Sequence, residues 1–390
     1  MVRRGGIVLT LLAAAGLAAG CGSKKDQDKT ALKGTVTFGV LAPVERTGEL
    51  GTRAKDLTDG AELAVAEINE RGGVLGKKLT LDVVDDACSA PVAYEAAKSF
   101  LSDGGGTAGV IGGMCDEAAE REVPVIDSTG IPFLVTSANS DDLVNQDTAS
   151  TYLMNGTVYQ QALSAVFWMN YRRAARLAVL QDSSPESKEL ARQAIGLVDQ
   201  TPKVVGLQTV DDEGNLATIA KATLVGKPDF VYWTGAAKTG GALAKALKQA
   251  GYKGTFTASA GSESPDFLAA AGPDGAEGAF VTATASGSNT PTAAHWAERF
   301  KQVYKRAPGF DALQAYDAVR TLAHAIDKAH STDGKKMLAG LTTLDANFTD
   351  FLGVVRFARD HTQLYDNRVI LQVKDGKFAW NRSLRTDALQ

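Results

Sequence analysis

Cysteine and histidine are scarce in this chain, three of the first and four of the second among 390 residues. His295, His324, His330 and His361 are scattered, and no pair sits on a helix face at ligand spacing, so a zinc site is poorly supported. There is no Walker A sequence and no G-x-S-x-G elbow. Gly104-Gly105-Gly106-Thr107-Ala108-Gly109 matches G-x-G-x-x-G by letters, but it precedes a strand instead of joining a strand to a helix. It reads as a tight turn and not as a dinucleotide site. Positive charge is not in excess either: 41 Lys and Arg face 45 Asp and Glu, which leaves no basic field for nucleic acid. After the first twenty residues no apolar run suggests a membrane span, and no repeat or low-complexity tract is found. Ser and Asp are plentiful, but no local arrangement pairs a nucleophile with its base. What remains is the composition of a large globular protein, 44% hydrophobic and 22% charged, and its length exceeds the usual single-core limit. Two domains are expected, with no metal and no cofactor.

The first twenty residues stand apart. Arg3 and Arg4 precede an apolar stretch, Ile7 to Ala19, interrupted by Thr10 and Gly16 and followed by Gly20-Cys21. That length suits a secretory signal and is short for a span. Small residues directly before a Cys resemble a bacterial lipobox, with Ala18 where an aliphatic residue is usual and Leu17 one place further away. On this reading residues 1–20 are a signal peptide and Cys21 is lipidated. Residues 21–33 then form a polar tether, holding the protein on the outer face of a bacterial cell membrane. An ordinary secretory signal is the alternative; a twin-arginine signal fits less well, because Gly-Gly follows the arginines. Cleavage removes two positive charges and no acids, taking the net charge from −4 to −6. Cys88 and Cys115 are then the one possible pair, 27 positions apart. In an oxidising compartment a bridge is expected, stabilising by about 3–4 kcal/mol in the loop-entropy model.

Short β-rich runs alternate with helical patterns through the rest of the chain, which predicts α/β domains with parallel sheets. Strands are expected at Val36–Leu41, Leu79–Val84, Ala108–Ile111, Phe133–Val135, Leu177–Leu180, Phe230–Trp233, Phe256–Ala258, Val354–Phe357 and Val369–Val373. Helices are expected at Asp59–Glu70, Val92–Leu101, Gln160–Asn170, Lys188–Val198, Gly241–Ala250, His295–Lys305 and Asp311–Ala329. Ala61, Ala64, Val65 and Ile68 share one face of the first helix, and Arg71-Gly72-Gly73 stops it.

Longer stretches carry a resemblance. Pro43, Thr47-Gly48, Gly60-Ala61-Glu62-Leu63-Ala64-Val65-Ala66-Glu67-Ile68-Asn69 and Gly72-Gly73-Val74-Leu75-Gly76-Lys77-Lys78-Leu79 resemble the opening of the leucine/isoleucine/valine-binding protein family. Those are type I periplasmic binding proteins that feed ABC transporters. Asp85-Asp86-Ala87-Cys88 and Gly112-Gly113-Met114-Cys115 are similar to the family's disulfide segments, and Phe133–Ser140 to its first-lobe pocket strand and loop. Asp229–Gly235 is similar to its second-lobe strand, and Leu243 with Gln249-Ala250-Gly251 to the helix after it. The resemblance runs from about Gly34 to Trp380.

It implies two doubly wound parallel-sheet lobes joined by a three-strand hinge, crossing near Asn155–Gly156, Thr282–Ala285 and Phe357–Asp360. The N-terminal lobe would take residues 34–155 and 285–357, and the C-terminal lobe residues 156–284 and 358–390. A ligand would lie between them and be buried by hinge closure. The positions that hold the ligand's carboxylate in the family correspond to Asp116, Ala138 and Ser140. Asp116 is out of place there, since it would compete for the same donors; it also reads as a cap on a helix Glu117–Val123. The amine-binding acid falls opposite about Ala260; Glu263, three positions on, is either its replacement or a solvated loop residue. Aromatic positions that close over the ligand correspond to Glu186 and Ala236, neither of them aromatic.

The function implied is a non-enzymatic, monomeric, lipid-anchored solute-binding protein of an ABC importer, whose partners are a small polar ligand and permease subunits. A ligand-sensing receptor of the same fold is the alternative, and a secreted hydrolase would need a site that is not found. The departures at Asp116 and Ala260 predict weak or absent binding of leucine, isoleucine and valine. The expected ligand instead offers hydroxyl, amide or amine donors to Asp116.

Overall fold

Hydrophobic periodicity that switches repeatedly between two and 3.6 residues produces two successive α/β runs. The computed structural model describes residues 34–102, 106–146, 148–210, 213–344, 349–350, 353–363 and 368–384. The signal, Cys21 and the tether lie outside the described residues, as do Gly104 and Gly105. The first run is β1 (Thr35–Ala42), α1 (Gly48–Glu70), β2 (Lys78–Asp85), α2 (Ala90–Ser102), β3 (Thr107–Gly112), α3 (Asp116–Asp127), β4 (Phe133–Val135), α4 (Asp142–Asn145) and β5 (Thr151–Leu153). The second is α5 (Val158–Tyr171), β6 (Arg176–Gln181), α6 (Pro185–Leu197), β7 (Lys203–Thr209), α7 (Leu216–Val225), β8 (Phe230–Trp233), α8 (Ala237–Gln249), β9 (Thr255–Ala258), α9 (Pro265–Ala276) and β10 (Phe280–Thr284). The chain then returns to the first lobe with α10 (Ala294–Tyr304), α11 (Phe310–Ala329) and α12 (Gly334–Thr342). A small hairpin follows, β11 (Thr349–Asp350) with β12 (Gly353–Val354), and the second lobe is completed by β13 (Arg368–Lys374) and β14 (Lys377–Ser383).

The first sheet has the order β2-β1-β3-β4-β5 with every pairing parallel. Its inner strands are buried on both faces, as parallel strands under two helical layers must be, while edge strand β2 is partly exposed; all six residues of β3 are buried. Helices α1 and α11 cover one face, and Ala97, Phe100, Ala119 and Val123 from α2 and α3 fill the other. The stripe on α1 continues backwards through Leu57 and Ala54, both buried at helical spacing, so the helix starts eleven residues before the expected Asp59. At Gly60 it crosses α11 closely: a Cβ there would stand 2.0 Å from the carbonyl oxygen of Ala312.

The second sheet has the order β14-β13-β10-β9-β8-β6-β7. Strands β6 to β10 pair in parallel, but β13 and β14 are antiparallel, so this lobe is mixed at one edge. The edge hairpin turns at Asp375-Gly376, where both residues have positive φ (50° and 70°), the geometry that favours Asp-Gly in a two-residue turn.

Three crossovers join the sheets. The first leaves the carboxyl end of β5, and the second leaves the carboxyl end of β10. The third pairs with β5 (Leu153 with Thr362) and enters β13 where Arg368 stands opposite Thr284, the end of β10. The carboxyl ends of both parallel sheets therefore meet at the hinge. A buried arginine ties all three: Arg368, only 2% exposed, donates to the Asn155 carbonyl at 3.1 Å and to Thr284 Oγ1 at 3.0 Å.

Candidate functional site

In open α/β sheets the loops that can reach a ligand follow the carboxyl ends of the strands, at the point where strand order reverses. That point lies between β1 and β3 in the first lobe and between β6 and β8 in the second. Cys88 and Cys115 are joined beside the first, with Cα atoms 5.5 Å apart, so the loop after β2 is tied to the start of α3.

Asp116 opens α3. Its Oδ1 accepts the backbone N–H of Asn139 at 2.7 Å and of Ser140 at 3.0 Å, both from the loop after β4. This corrects the capping expectation: Cys115 holds the N-cap position with no side-chain cap bond, and Asp116 reaches across to another loop. The helix also runs to Asp127, with Pro124 inside it, beyond the expected Val123. Ala138 is buried and its N–H is given to the Gly113 carbonyl at 2.9 Å. Ser140 Oγ accepts from the Asp142 N–H at 3.2 Å. Behind this loop Ser137 Oγ donates to Asp311 at 2.5 Å, and Arg53 holds the same carboxylate with two hydrogen bonds of 2.9 and 3.1 Å. Asn155, on the first crossover, donates to the Ser137 carbonyl at 2.9 Å. The first-lobe loop is thereby fixed from both sides.

The second lobe repeats the device with a residue that no sequence motif flagged. Asp182, directly after β6, accepts from Ser184 N–H at 3.0 Å, from Ser184 Oγ at 2.6 Å and from Ala236 N–H at 2.8 Å. Burial alone would raise its pKa, but the bonds from Ser184 and Ala236 outweigh burial and hold it below the ordinary value. Ala236 itself is exposed at the N-cap position of α8, and Glu186 is exposed in the first turn of α6. Glu263 is half-buried and not a solvated loop residue; both its oxygens accept from Asn289 Nδ2, at 3.2 and 3.0 Å. Burial pushes its pKa up to about 7, an effect that the bond from Asn289 only partly offsets. Asn289, on the second crossover, also donates to the Thr284 carbonyl at 2.9 Å.

Residues 35–377 match the model of one family, described as periplasmic binding protein. The chain belongs to that family. Among curated relatives, the Leu/Ile/Val-binding protein BraC3 of Rhizobium johnstonii is 26% identical over 307 residues, 78% of this chain and 82% of that one. The leucine-, isoleucine-, valine-, threonine- and alanine-binding protein of Pseudomonas aeruginosa is 28% identical over 321 residues, 81% of this chain and 82% of that one. Among solved structures, the leucine-binding protein LivK from Thermotoga maritima has the same fold. Its TM-score is 0.70 at 22% identity, covering 90% of this chain and 99% of that one.

For a periplasmic binding protein the crevice between the lobes is the place to seek a ligand; Asp116, Asp182, Ala236 and Glu263 follow the carboxyl ends of β3, β6, β8 and β9. A cavity of 640 Å³ lies elsewhere, flanked by α4, α5, α6 and the third crossover, and none of the six carried-over residues lines it. Beside it Gln193 of α6 donates to Asp141 next to α4, which joins the lobes on that side. Asp182 could have been found as a polar residue ending the Leu177–Leu180 strand before Ser-Ser-Pro. Asn289 and Arg368 carried no spacing signal at all.

Proposed function

We propose that this protein is the extracytoplasmic solute-binding lipoprotein of an ABC importer of the branched-chain amino acid type, capturing a small polar ligand between two lobes. The observation that carries this reading is the meeting of both sheets' carboxyl ends at a three-crossover hinge. Loops on facing lobes then converge on one solute, and closure removes it from water. Asp116 and Ser140 from the first lobe and Ala236 and Glu263 from the second belong to the crevice on this reading; Ala138 and Glu186 support it from behind and from the rim. Binding selects the closed form, and permease subunits recognise that form. No bond in the ligand is made or broken. Cys21 carries the lipid that retains the protein on the outer face of the membrane.

The test is a thermal-shift screen of the mature chain against amino acids, amides, polyamines and small organic acids, with small-angle scattering on each hit. A solute that raises the melting temperature and reduces the radius of gyration is the expected result. No stabilising solute in any class would overturn the reading. Solute uptake lost on deletion of the gene separates importer from sensor, and Cys21→Ala should move the protein from the membrane to the soluble fraction.

A further inference from the structure

Resting on that reading of the crevice, we infer that its solute is a small organic cation, an amine or guanidine without a carboxylate. Backbone N–H groups at loop and helix starts are the natural seats for a ligand's carboxylate. In the first lobe the N–H groups of Asn139 and Ser140 are already occupied by Asp116, and that of Ala138 by Gly113. In the second lobe those of Ser184 and Ala236 are occupied by Asp182. Each lobe thus fills its own anion seat with a carboxylate of the chain. An incoming carboxylate finds those amides occupied and meets like charge on both sides.

The same arrangement suits a cation. Oδ1 of Asp116 takes both of its bonds, and Oδ2 accepts from no described residue. Glu263 adds a third carboxylate, desolvated and held by a single amide group, whose ionised form a cation would stabilise. Three arginines near these loops are engaged. Arg46 donates to the Ala87 carbonyl at 3.0 and 2.8 Å, Arg53 is bidentate on Asp311, and Arg368 is buried in the hinge. Lys238 is exposed at the start of α8.

Calorimetry with probes that differ only by a carboxylate tests this. Agmatine is compared with arginine, putrescine with ornithine, and 3-methylbutylamine with leucine and with 4-methylpentanamide. In at least one set the amine should bind on the order of a hundredfold more tightly than its amino acid, about 2.7 kcal/mol. Asp116→Asn keeps the one acceptor oxygen that the Asn139 and Ser140 N–H groups need. It should weaken that amine by about tenfold or more, with an unchanged melting temperature. Asp116→Ser frees the Asn139 and Ser140 N–H groups and should narrow the preference for amine over amino acid by about tenfold. An amino acid, an acid or the neutral amide binding as tightly as the amine would overturn the cation while leaving solute capture intact. No response to any class, cation, zwitterion, acid or neutral, would overturn both.

Discussion

Two carboxyl groups are buried against each other beneath the disulfide loop, and they make the stability of the first lobe depend on pH. Glu122, on α3, is 0% exposed, and neither of its oxygens has a hydrogen-bond donor among the described residues; Asp86 Oδ2 is in the same position. Asp86 Oδ1 accepts the Cys88 N–H at 2.8 Å. Burial, and then the charge of Asp86, raise the Glu122 pKa well above its ordinary value. Asp86 is raised from 3.8 to about 6, chiefly by burial, with the neighbouring charge of Asp85 adding to it. Ionising Asp86 in the folded chain therefore costs about 3 kcal/mol more than ionising it in the unfolded chain. Because the folded value is the higher one, this stability is fully present below pH 3.8 and is lost as pH rises through about 6. Asp86→Asn keeps the acceptor for Cys88 and offers an N–H to Glu122. It should leave stability near pH 4 unchanged and raise it by about 2–3 kcal/mol near pH 7.5. Urea unfolding of the oxidised protein at both values, followed by circular dichroism, reads the difference, and comparing variant with wild type cancels the titrating groups that are not coupled to Asp86. A variant that is less stable than wild type near pH 7.5, or equally shifted at both values, would refute the reasoning.

Other expectations follow from single contacts. Cys88→Ser should cost about 3–4 kcal/mol of stability, seen as a lower melting temperature, and non-reducing mass spectrometry of the wild type should find no free thiol at Cys88 or Cys115. Gly60→Ala places a methyl group against the Ala312 carbonyl, which neither helix backbone can avoid without moving; a loss of about 1–3 kcal/mol in denaturant titration is expected. Arg368→Met removes the donors to Asn155 and Thr284 and should cost about 2–3 kcal/mol by calorimetry. It should also broaden the ligand-free scattering profile, because two crossovers lose their common anchor; an unchanged profile would show that the hinge is held without it.

Secondary structure was largely legible in the sequence because it is set by local pattern. Phe133–Val135 and Phe230–Trp233 match the expected strands residue for residue, and α11 matches to within one residue. Strands with weaker local signals were missed. Lys203–Thr209 carries a glycine and an exposed outer face, and Lys377–Ser383 is a polar edge strand, held by its hairpin partner. The second lobe is parallel except at that edge, since strand direction depends on where the chain returns and not on its composition.

The sequence by itself determined the alternation of strands and helices, the lone cysteine pair and, through resemblance, the two-lobed fold. It also exposed the misfit of an acid at position 116. Only the tertiary structure decided what that acid does. Its two donors come from residues 23 and 24 positions away, and the matching device in the other lobe joins Asp182 to Ala236, 54 positions apart. Glu263 meets Asn289 across 26 positions, and Arg368 reaches Asn155 across 213. A carboxylate's role is set by which N–H groups and cations surround it, and those neighbours are brought together by strand order and crossovers, which leave no local trace.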